Sequence, residues 1–316
     1  MKKGFTLLLT AIALIASAAT GFAQEKIIGF SQVTLDSPFY VALMEAADKK
    51  AKEMGAKLIY VDAQGDIAKQ NNDVQDLLTK GVNVLLLNAV NPGGVAPAIK
   101  AAEAAGVPVI AVDRPAKGKV ATFVGRDNKK MGYEAGKEAV KLLGGEGKAK
   151  GKIIEIQGAA GGKVMMDRRD GFHQAVDKEP GIVVVQSPYC EYVRSKAVKA
   201  FQDLYEANPD VALIYAHNDD MALGAAQVLK QNGKLGQVKI IGVDGLMQAI
   251  KSIQDGTYDA TVLNDPALLG ALAVETAMGV LDGKTYPEFI DAGTGLITKD
   301  NAAKYADDSK VFAETK

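Results

Sequence analysis

The stretch VPVIAVDRP, residues 107–115, decides the fold class. Residues 107–112 are apolar almost throughout and do not alternate with polar positions. Such runs are typical of parallel strands whose two faces are both covered by helices. Asp113 and Arg114 follow where the strand is predicted to end. The pattern therefore indicates a buried parallel strand that ends in an acid and a base.

Similar short apolar runs alternate with amphipathic segments along most of the chain. The predicted strands cover residues 27–31, 57–61, 84–87, 107–112, 122–125, 152–156, 182–186, 212–215, 238–243 and 260–263. Helical patterns cover residues 38–54, 67–80, 129–143, 194–207, 219–231 and 267–281. This alternation predicts doubly wound parallel sheets. Ten strands are many for one sheet, so two similar α/β lobes are expected, with the Gly- and Lys-rich residues 142–152 as a loop between strand–helix units.

The first residues predict export. Lys2 and Lys3 precede an apolar run over residues 5–19, and small residues follow at 21–23. This is the pattern of a secretory signal peptide with cleavage after Ala23. The alternative, a membrane-anchoring helix, is disfavoured because the run is shorter than the roughly 20 residues that a span needs. No cysteine lies near the cleavage point, so a lipoprotein is not expected, and we predict an exported protein.

Bulk composition excludes several classes of function. The chain has 37 Lys and Arg residues against 38 Asp and Glu residues, which does not suggest binding to nucleic acid or to an anionic membrane. The single cysteine, Cys190, permits no intrachain disulfide. The two histidines, His173 and His217, occur without a metalloprotease motif, a nucleophile elbow or a Cys/His pair. An enzyme is therefore not expected, and neither is a metal or a cofactor.

Polar residues follow the ends of most predicted strands. They include Ser37, Asn88, Asp113, Arg114, Arg126, Asn218, Asp244 and Asn264. Ligands of open parallel sheets bind outside the carboxyl ends of the strands. Carboxylates, amides and guanidinium groups together match the neighbouring hydroxyls of a neutral polyol, which each donate and accept. Helix capping is the alternative for single positions, above all for Ser37, Asp127 and Asp219.

Four motifs carry a resemblance to a known family. They are SPFY (37–40), VPVIAVDR (107–114), DRRDGF (167–172) and AHNDDMALGA (216–225). With them, the chain resembles periplasmic sugar-binding proteins of the ribose-binding type, the receptors of ABC importers. The resemblance covers nearly the whole chain after the signal peptide. It implies two α/β lobes joined by three chain crossings, the type I periplasmic binding protein fold, with the sugar in the cleft. Together with the signal peptide, it also implies a periplasmic location.

The resemblance also implies roles for individual residues. Phe39 and Tyr40 match the aromatic pair that sandwiches the sugar, and Ser37 stands where ribose binders carry Asn. The remaining matched contacts are Asn88, Asp113 and Arg114 in the first lobe and Arg168, Tyr192, Asn218, Asp244 and Asn264 in the second. The Asp113–Arg114 pair is then expected to chelate sugar hydroxyls, each group holding the other charged and aligned.

Departures from the ribose pattern leave the ligand open. Arg126 replaces a small residue and is added to the expected contacts, Val243 replaces an aromatic residue, Tyr192 replaces Phe, and Asn264 replaces Gln. A pentose, a furanose such as galactofuranose, an inositol or a related polyol are the alternatives. The expected partners are a membrane permease of an ABC importer and, as a second possibility, a chemoreceptor or sensor protein. A LacI-type regulator would need a DNA-binding segment before residue 26, and the chain is expected to act as a monomer.

The expected division of the chain follows from the three crossings. They are placed near residues 126–128, 264–266 and 287–291. The signal peptide is residues 1–23, the N-terminal lobe is residues 24–126 and 265–288, and the C-terminal lobe is residues 127–264 and 289–316.

Overall fold

The computed structural model describes residues 25–315. The predicted signal peptide lies outside the described residues. Within residues 25–315, no helix is long and apolar enough to cross a membrane.

The described chain forms twelve strands, nine α-helices and one short 3-10 helix. The strands are β1 (Lys26–Gln32), β2 (Ala56–Asp62), β3 (Val84–Leu87), β4 (Val109–Val112), β5 (Thr122–Gly125), β6 (Lys150–Ile156), β7 (Gly181–Gln186), β8 (Val211–Ala216), β9 (Lys239–Asp244), β10 (Ala260–Leu263), β11 (Phe289–Asp291) and β12 (Leu296–Thr298). The helices are α1 (Pro38–Glu53), α2 (Ile67–Thr79), α3 (Ala96–Ala104), α4 (Asn128–Leu142), α5 (Lys163–Val176), α6 (Arg194–Ala207), α7 (Asp219–Gln231), α8 (Met247–Gln254), α9 (Pro266–Leu281) and the 3-10 turn Ala302–Lys304.

The strands form two sheets with the same internal order, which confirms the predicted fold class. The first sheet runs β11-β5-β4-β3-β1-β2 and the second β12-β10-β9-β8-β6-β7. All pairings are parallel except that of β12 with β10, which is antiparallel. The strands β3 and β4 are buried along their whole length, as expected for strands covered on both faces.

The two edge strands β11 and β12 were not predicted from the sequence. Each has three residues, which are too few to show a hydrophobic periodicity. Each forms a strand because it pairs with the edge strand of a sheet built from other segments. Because β11 pairs with β5, the chain stays with the first sheet as far as Asp291. The predicted lobe boundary after residue 288 is therefore placed too early. The last crossing lies between Asp291 and Leu296.

Two glycines bring α4 and α5 into close contact beside the cleft. A β-carbon on Gly132 would lie 2.1 Å from the backbone oxygen of Arg168, and one on Gly171 would lie 1.9 Å from that of Lys129. No side chain fits at these distances. The glycines therefore set the depth at which α5, and with it the Arg168 side chain, lies against the second lobe.

Replacing Gly132 by Ala should destabilise the protein by about 1–3 kcal/mol, because the added methyl group forces α4 and α5 apart. Helix propensity alone predicts a gain of stability for the same change, so the sign is diagnostic. Lys130→Ala, on the exposed face of α4, is the control and should be neutral. Urea denaturation measures both, and a stabilised Gly132→Ala protein would contradict the packing argument.

Candidate functional site

One cavity lies between the two lobes, at the carboxyl ends of strands from both sheets. Its lining residues are Ser37, Phe39, Tyr40 and Asp113 from the first lobe and Val164, Arg168, Tyr192, Asn218, Asp244 and Asn264 from the second. The atom-free space, counting its open side, is about 330 Å³. Of the twelve predicted contacts, only Asn88, Arg114 and Arg126 lie outside this lining. Val164 was missed, since an apolar residue in the first turn of α5 carries no chemical signal.

The chain turns sharply at Asp113. The amide of Arg114 donates to the carbonyl of Val112 at 2.6 Å, and Asp113 between them has φ of 60°. This is the geometry of a classic γ-turn, which is rare because it strains the backbone. The turn sends the two adjacent side chains apart. Asp113 lines the cavity, whereas Arg114 lines a neighbouring cleft between the lobes.

The Tyr40 hydroxyl connects these two side chains. It donates to Asp113 Oδ2 at 3.3 Å and accepts from Arg114 Nε at 3.1 Å. Burial raises the pKa of Tyr40, so its hydroxyl keeps its proton. Burial alone would lower the pKa of Arg114, but Tyr40, Tyr192 and Asp113 raise it overall. The expected direct contact between Asp113 and Arg114 is thus replaced by a contact through Tyr40.

In the second lobe, Asp244 accepts one hydrogen bond and faces one cation. Asn264 Nδ2 donates to Asp244 Oδ1 at 2.9 Å, and Arg168 Nη2 lies 3.8 Å from the same oxygen. Arg168 is itself held by Asn128 Oδ1 at 2.9 Å and by the backbone oxygen of His217. Burial raises the pKa of Asp244 to about 6, although Arg168 and Asn264 oppose the shift. Asp244 therefore ionises close to neutral pH.

Asn218 and Tyr192 complete this wall. Asn218 Oδ1 caps α7 by accepting from the amide of Met221 at 3.0 Å, so Asn218, rather than the expected Asp219, is the cap. The Tyr192 hydroxyl is buried and has no hydrogen-bond partner. Its ring lies where a β-carbon of Gly158 would stand, 2.3 Å away. Only glycine at 158 leaves room for a tyrosine here.

Backbone strain concentrates at this site. Among residues 25–315, five non-glycine residues have positive φ, and three of them, Asp113, Tyr192 and Asp244, line the cavity. Such conformations cost free energy and persist where the surrounding structure fixes them, commonly at functional sites.

Comparison with known proteins identifies the family of the chain. A family model described as "Periplasmic binding protein domain" matches residues 28–285. The chain belongs to the periplasmic binding protein family. It is 37% identical to the ribose import binding protein RbsB of Bacillus subtilis (strain 168), over 95% of this chain and 100% of that protein.

Two solved structures of similar proteins share the fold. One is an ABC transporter solute binding protein from Mycobacterium smegmatis with bound glycerol, with a TM-score of 0.88 and 56% identity over 92% of this chain and 100% of that chain. The other is a galactofuranose binding protein, with a TM-score of 0.83 and 28% identity over 88% of this chain and 96% of that chain.

In this periplasmic binding protein, Arg126 joins the three chain crossings. Arg126 follows β5 and lies in the first crossing. Its Nη1 donates to Asn264 Oδ1 at 2.9 Å, and its Nη2 donates to the Asp265 backbone oxygen at 2.7 Å. Both acceptors lie in the second crossing. Arg126 Nε donates to the backbone oxygen of Gly293, in the third crossing, at 2.7 Å. Burial lowers the pKa of Arg126 to about 10, which leaves it charged at neutral pH. The structure therefore places Arg126 behind Asn264 rather than in the lining.

Asn88 lies deeper than expected. Its Nδ2 donates to Gln32 Oε1 at 2.7 Å, and its Oδ1 has no partner. Gln32, at the end of β1, also accepts from the amide of Val33 at 2.9 Å, and its Nε2 is unpartnered. The two amides thus orient each other beneath the first-lobe wall.

A buried carboxylate, also missed, supports the second-lobe wall. Glu155 in β6 contacts His217 Nε2 at 2.9 Å and His173 Nε2 at 3.1 Å. Burial would raise the pKa of Glu155, but these hydrogen bonds lower it to about 2, and Glu155 raises the pKa of His173 to about 9. His217 in turn presents its carbonyl to Arg168. The signal was a lone Glu within the apolar KIIEI run, residues 152–156.

Of the expected caps, Asp127 accepts from the amide of Lys130 at 2.9 Å and caps α4. Ser37 occupies the capping position of α1 without a side-chain hydrogen bond, and Asp219 instead accepts from Tyr258, Thr261 and the amide of Leu246.

Within residues 25–315, no group of three or more His, Cys, Asp or Glu residues is placed to hold a metal ion.

Replacing Arg126 by Met should lower the free energy of unfolding by about 3 kcal/mol or more, because two buried oxygens and one partly buried oxygen each lose a donor worth roughly 1–3 kcal/mol. Arg169→Met, which removes a partly exposed guanidinium that pairs with the adjacent Asp170, is the matched control and should change little. Urea denaturation curves compare the two. Equal midpoints for both variants would show that Arg126 does not hold the crossings.

Proposed function

We propose that this protein captures a neutral monosaccharide or related polyol between its two lobes in the periplasm and delivers it to the membrane permease of an ABC importer. The observation that supports this most is the convergence of Asp113 from one lobe and Arg168, Asn218 and Asp244 from the other on one cavity. These groups supply both donors and acceptors, which a ring or chain of hydroxyls requires. Phe39 and Tyr40 supply apolar faces for the C–H groups.

The charges around the cavity favour a neutral ligand. Asp113 and Asp244 line it together with a single guanidinium, that of Arg168. Arg114 is engaged with Tyr40, and Arg126 donates to three oxygens of the crossings. A sugar acid would need an unengaged cation, so its carboxylate would meet two acids with little compensation.

The ligands named for similar proteins are all sugars or polyols. Of these proteins, one is a ribose import protein, one a galactofuranose binding protein, and one was solved with glycerol. Tyr192 distinguishes this site from the ribose pattern, because its unpartnered hydroxyl can bond a ligand hydroxyl that Phe could not. We therefore place the ligand among pentoses, furanoses and related polyols, with galactofuranose and inositol as alternatives.

Lobe closure follows from where the contacts lie. We assign residues 25–126 and 265–291 to the first lobe and residues 127–264 and 296–315 to the second. A ligand that touches both lobes stabilises the closed form by its difference in affinity for the two forms. A membrane permease would recognise this closed, liganded form. As a second role, a chemoreceptor would recognise the same form. We infer a monomer, exported by a signal peptide cleaved after Ala23.

A thermal-shift panel of pentoses, hexoses, furanoses, inositols and short polyols tests the proposal, since a ligand that binds only the folded state raises the melting temperature. The best ligand should then bind by calorimetry, leave unmodified, and reduce the radius of gyration in solution scattering. Sugar acids and amino acids should give no shift. Binding of amino acids alone, or release of a chemically altered sugar, would overturn the proposal.

Replacing Asp113 by Ala should weaken binding of that ligand at least thirtyfold. The change deletes hydroxyl acceptors and leaves the Tyr40 hydroxyl and Arg114 without their carboxylate, and such losses cost about 2–5 kcal/mol. Asp203→Ala, on the exposed face of α6, is the control and should bind as the wild type does. Calorimetry measures both, and an Asp113→Ala protein with normal affinity would reduce Asp113 to a turn residue.

Affinity should also fall about tenfold between pH 8 and pH 5, because at a pKa near 6 only about a tenth of Asp244 remains ionised at pH 5. Fold stability should respond in the opposite direction. The folded-state pKa lies above the ordinary 3.8, so this group stabilises the fold most below pH 4 and the contribution is lost as the pH rises through 6. Asp244→Asn should abolish this pH dependence of affinity in calorimetry. A pH-independent wild type would contradict the role of the ionised carboxylate.

A further inference from the structure

Residues 311–315, called here the strap, run along the turn that follows β9. The amide of Met247 donates to the backbone oxygen of Val311 at 2.8 Å, and the amide of Ala313 donates to that of Gly245 at 2.7 Å. Between them, Phe312 forms an isolated antiparallel bridge with Leu246. The backbone of the strap is thus fastened to the second lobe independently of its side chains.

The turn that the strap holds carries Asp244. Asp244 has φ of 126°, a strained value for a non-glycine residue, and Gly245 follows with φ of 76°. From the other side, Thr261 Oγ1 accepts from the amide of Gly245 at 3.1 Å. The strap therefore helps to fix the backbone conformation that directs the Asp244 carboxylate into the cavity.

The strap also reaches the first lobe. The Phe312 ring packs edge-on against Phe39, with centroids 6.0 Å apart and an interplanar angle of 87°, and both residues are 6% exposed. Phe39, in the first turn of α1, lines the cavity. Further along, the amide of Thr315 donates to Asp265 Oδ2, at the second crossing, at 2.8 Å.

We propose that the strap is an interlobe clasp: anchored on the second lobe, it places Phe312 against Phe39 when the lobes close, so Phe312 is a positioning residue for ligand binding. The proposal rests on the proposed function. A contact between lobes that forms on closure stabilises only the closed form, and that difference adds directly to ligand affinity. Phe312 packs against the ring of Phe39, and Phe39 also lines the cavity.

The neighbouring residue supplies a matched control. Val311 is 58% exposed, so its side chain points to solvent while its carbonyl accepts from Met247. Truncation to Ala at either position leaves every backbone hydrogen bond of the strap available. A difference between the two variants therefore reports the Phe312 ring alone.

In calorimetry with the best ligand of the panel, Phe312→Ala should bind about fivefold more weakly or worse, as expected for the loss of an aromatic contact. Phe312→Leu should recover part of the loss, and Val311→Ala should bind as the wild type does. The melting temperature of the ligand-free protein should change much less than that of the liganded protein. If Phe312→Ala lowers the melting temperature without changing the affinity, the ring serves packing only and the clasp is refuted.

A fluorescence measurement tests the closure step. The chain contains no Trp, so Phe312→Trp introduces a single indole. Its emission should shift to shorter wavelength and become less quenchable by acrylamide when the ligand is added, whereas Val311→Trp should not respond. An indole at 312 that is equally shielded with and without ligand would refute closure of the clasp.

Different results would overturn the proposed function and the clasp. A wild-type protein that binds no neutral sugar or polyol overturns the proposed function and the clasp with it. A wild-type protein that binds one, together with a Phe312→Ala variant of equal affinity, overturns the clasp alone.

Discussion

The Arg126 guanidinium holds together the only three segments through which the described chain passes between its sheets. Its donors reach Asn264, Asp265 and Gly293, and Arg126 itself belongs to the remaining crossing. Because a guanidinium is planar and rigid, three engaged nitrogens fix the relative positions of the crossings more tightly than a flexible ammonium could. The relative positions of the crossings in turn decide which side chains meet across the cleft.

The same guanidinium sets the orientation of one cavity residue. Arginine only donates, so the Asn264 amide must present its oxygen to Arg126 and its nitrogen to Asp244. Asp244 in turn lies near Arg168, which Asn128 and the His217 carbonyl hold in place. Hinge geometry and the polar wall of the second lobe are therefore one hydrogen-bonded system.

In the first lobe, two strongly polar side chains that are adjacent in sequence, Asp113 and Arg114, are directed apart. The turn at Asp113 directs the carboxylate to the cavity and the Arg114 side chain to the neighbouring cleft, and the Tyr40 hydroxyl joins them. The cost is backbone strain at Asp113. Similar strain at Tyr192 and Asp244 shows that local backbone preference yields here to the arrangement of the site.

The sequence by itself determined the alternating architecture, the ten longer strands and the edge at which the polar residues collect, because hydrophobic periodicity and strand direction are local properties. It could not determine β11 and β12, whose three-residue strands depend on pairing with sheet edges that form from distant segments. It could not separate Arg126 from the cavity residues either, since a polar residue after a strand looks the same whether it meets a ligand or the carbonyls of two other crossings. The Tyr40 link between Asp113 and Arg114 was likewise hidden. Such contacts join residues 70 or more positions apart, and only the packed lobes bring them together.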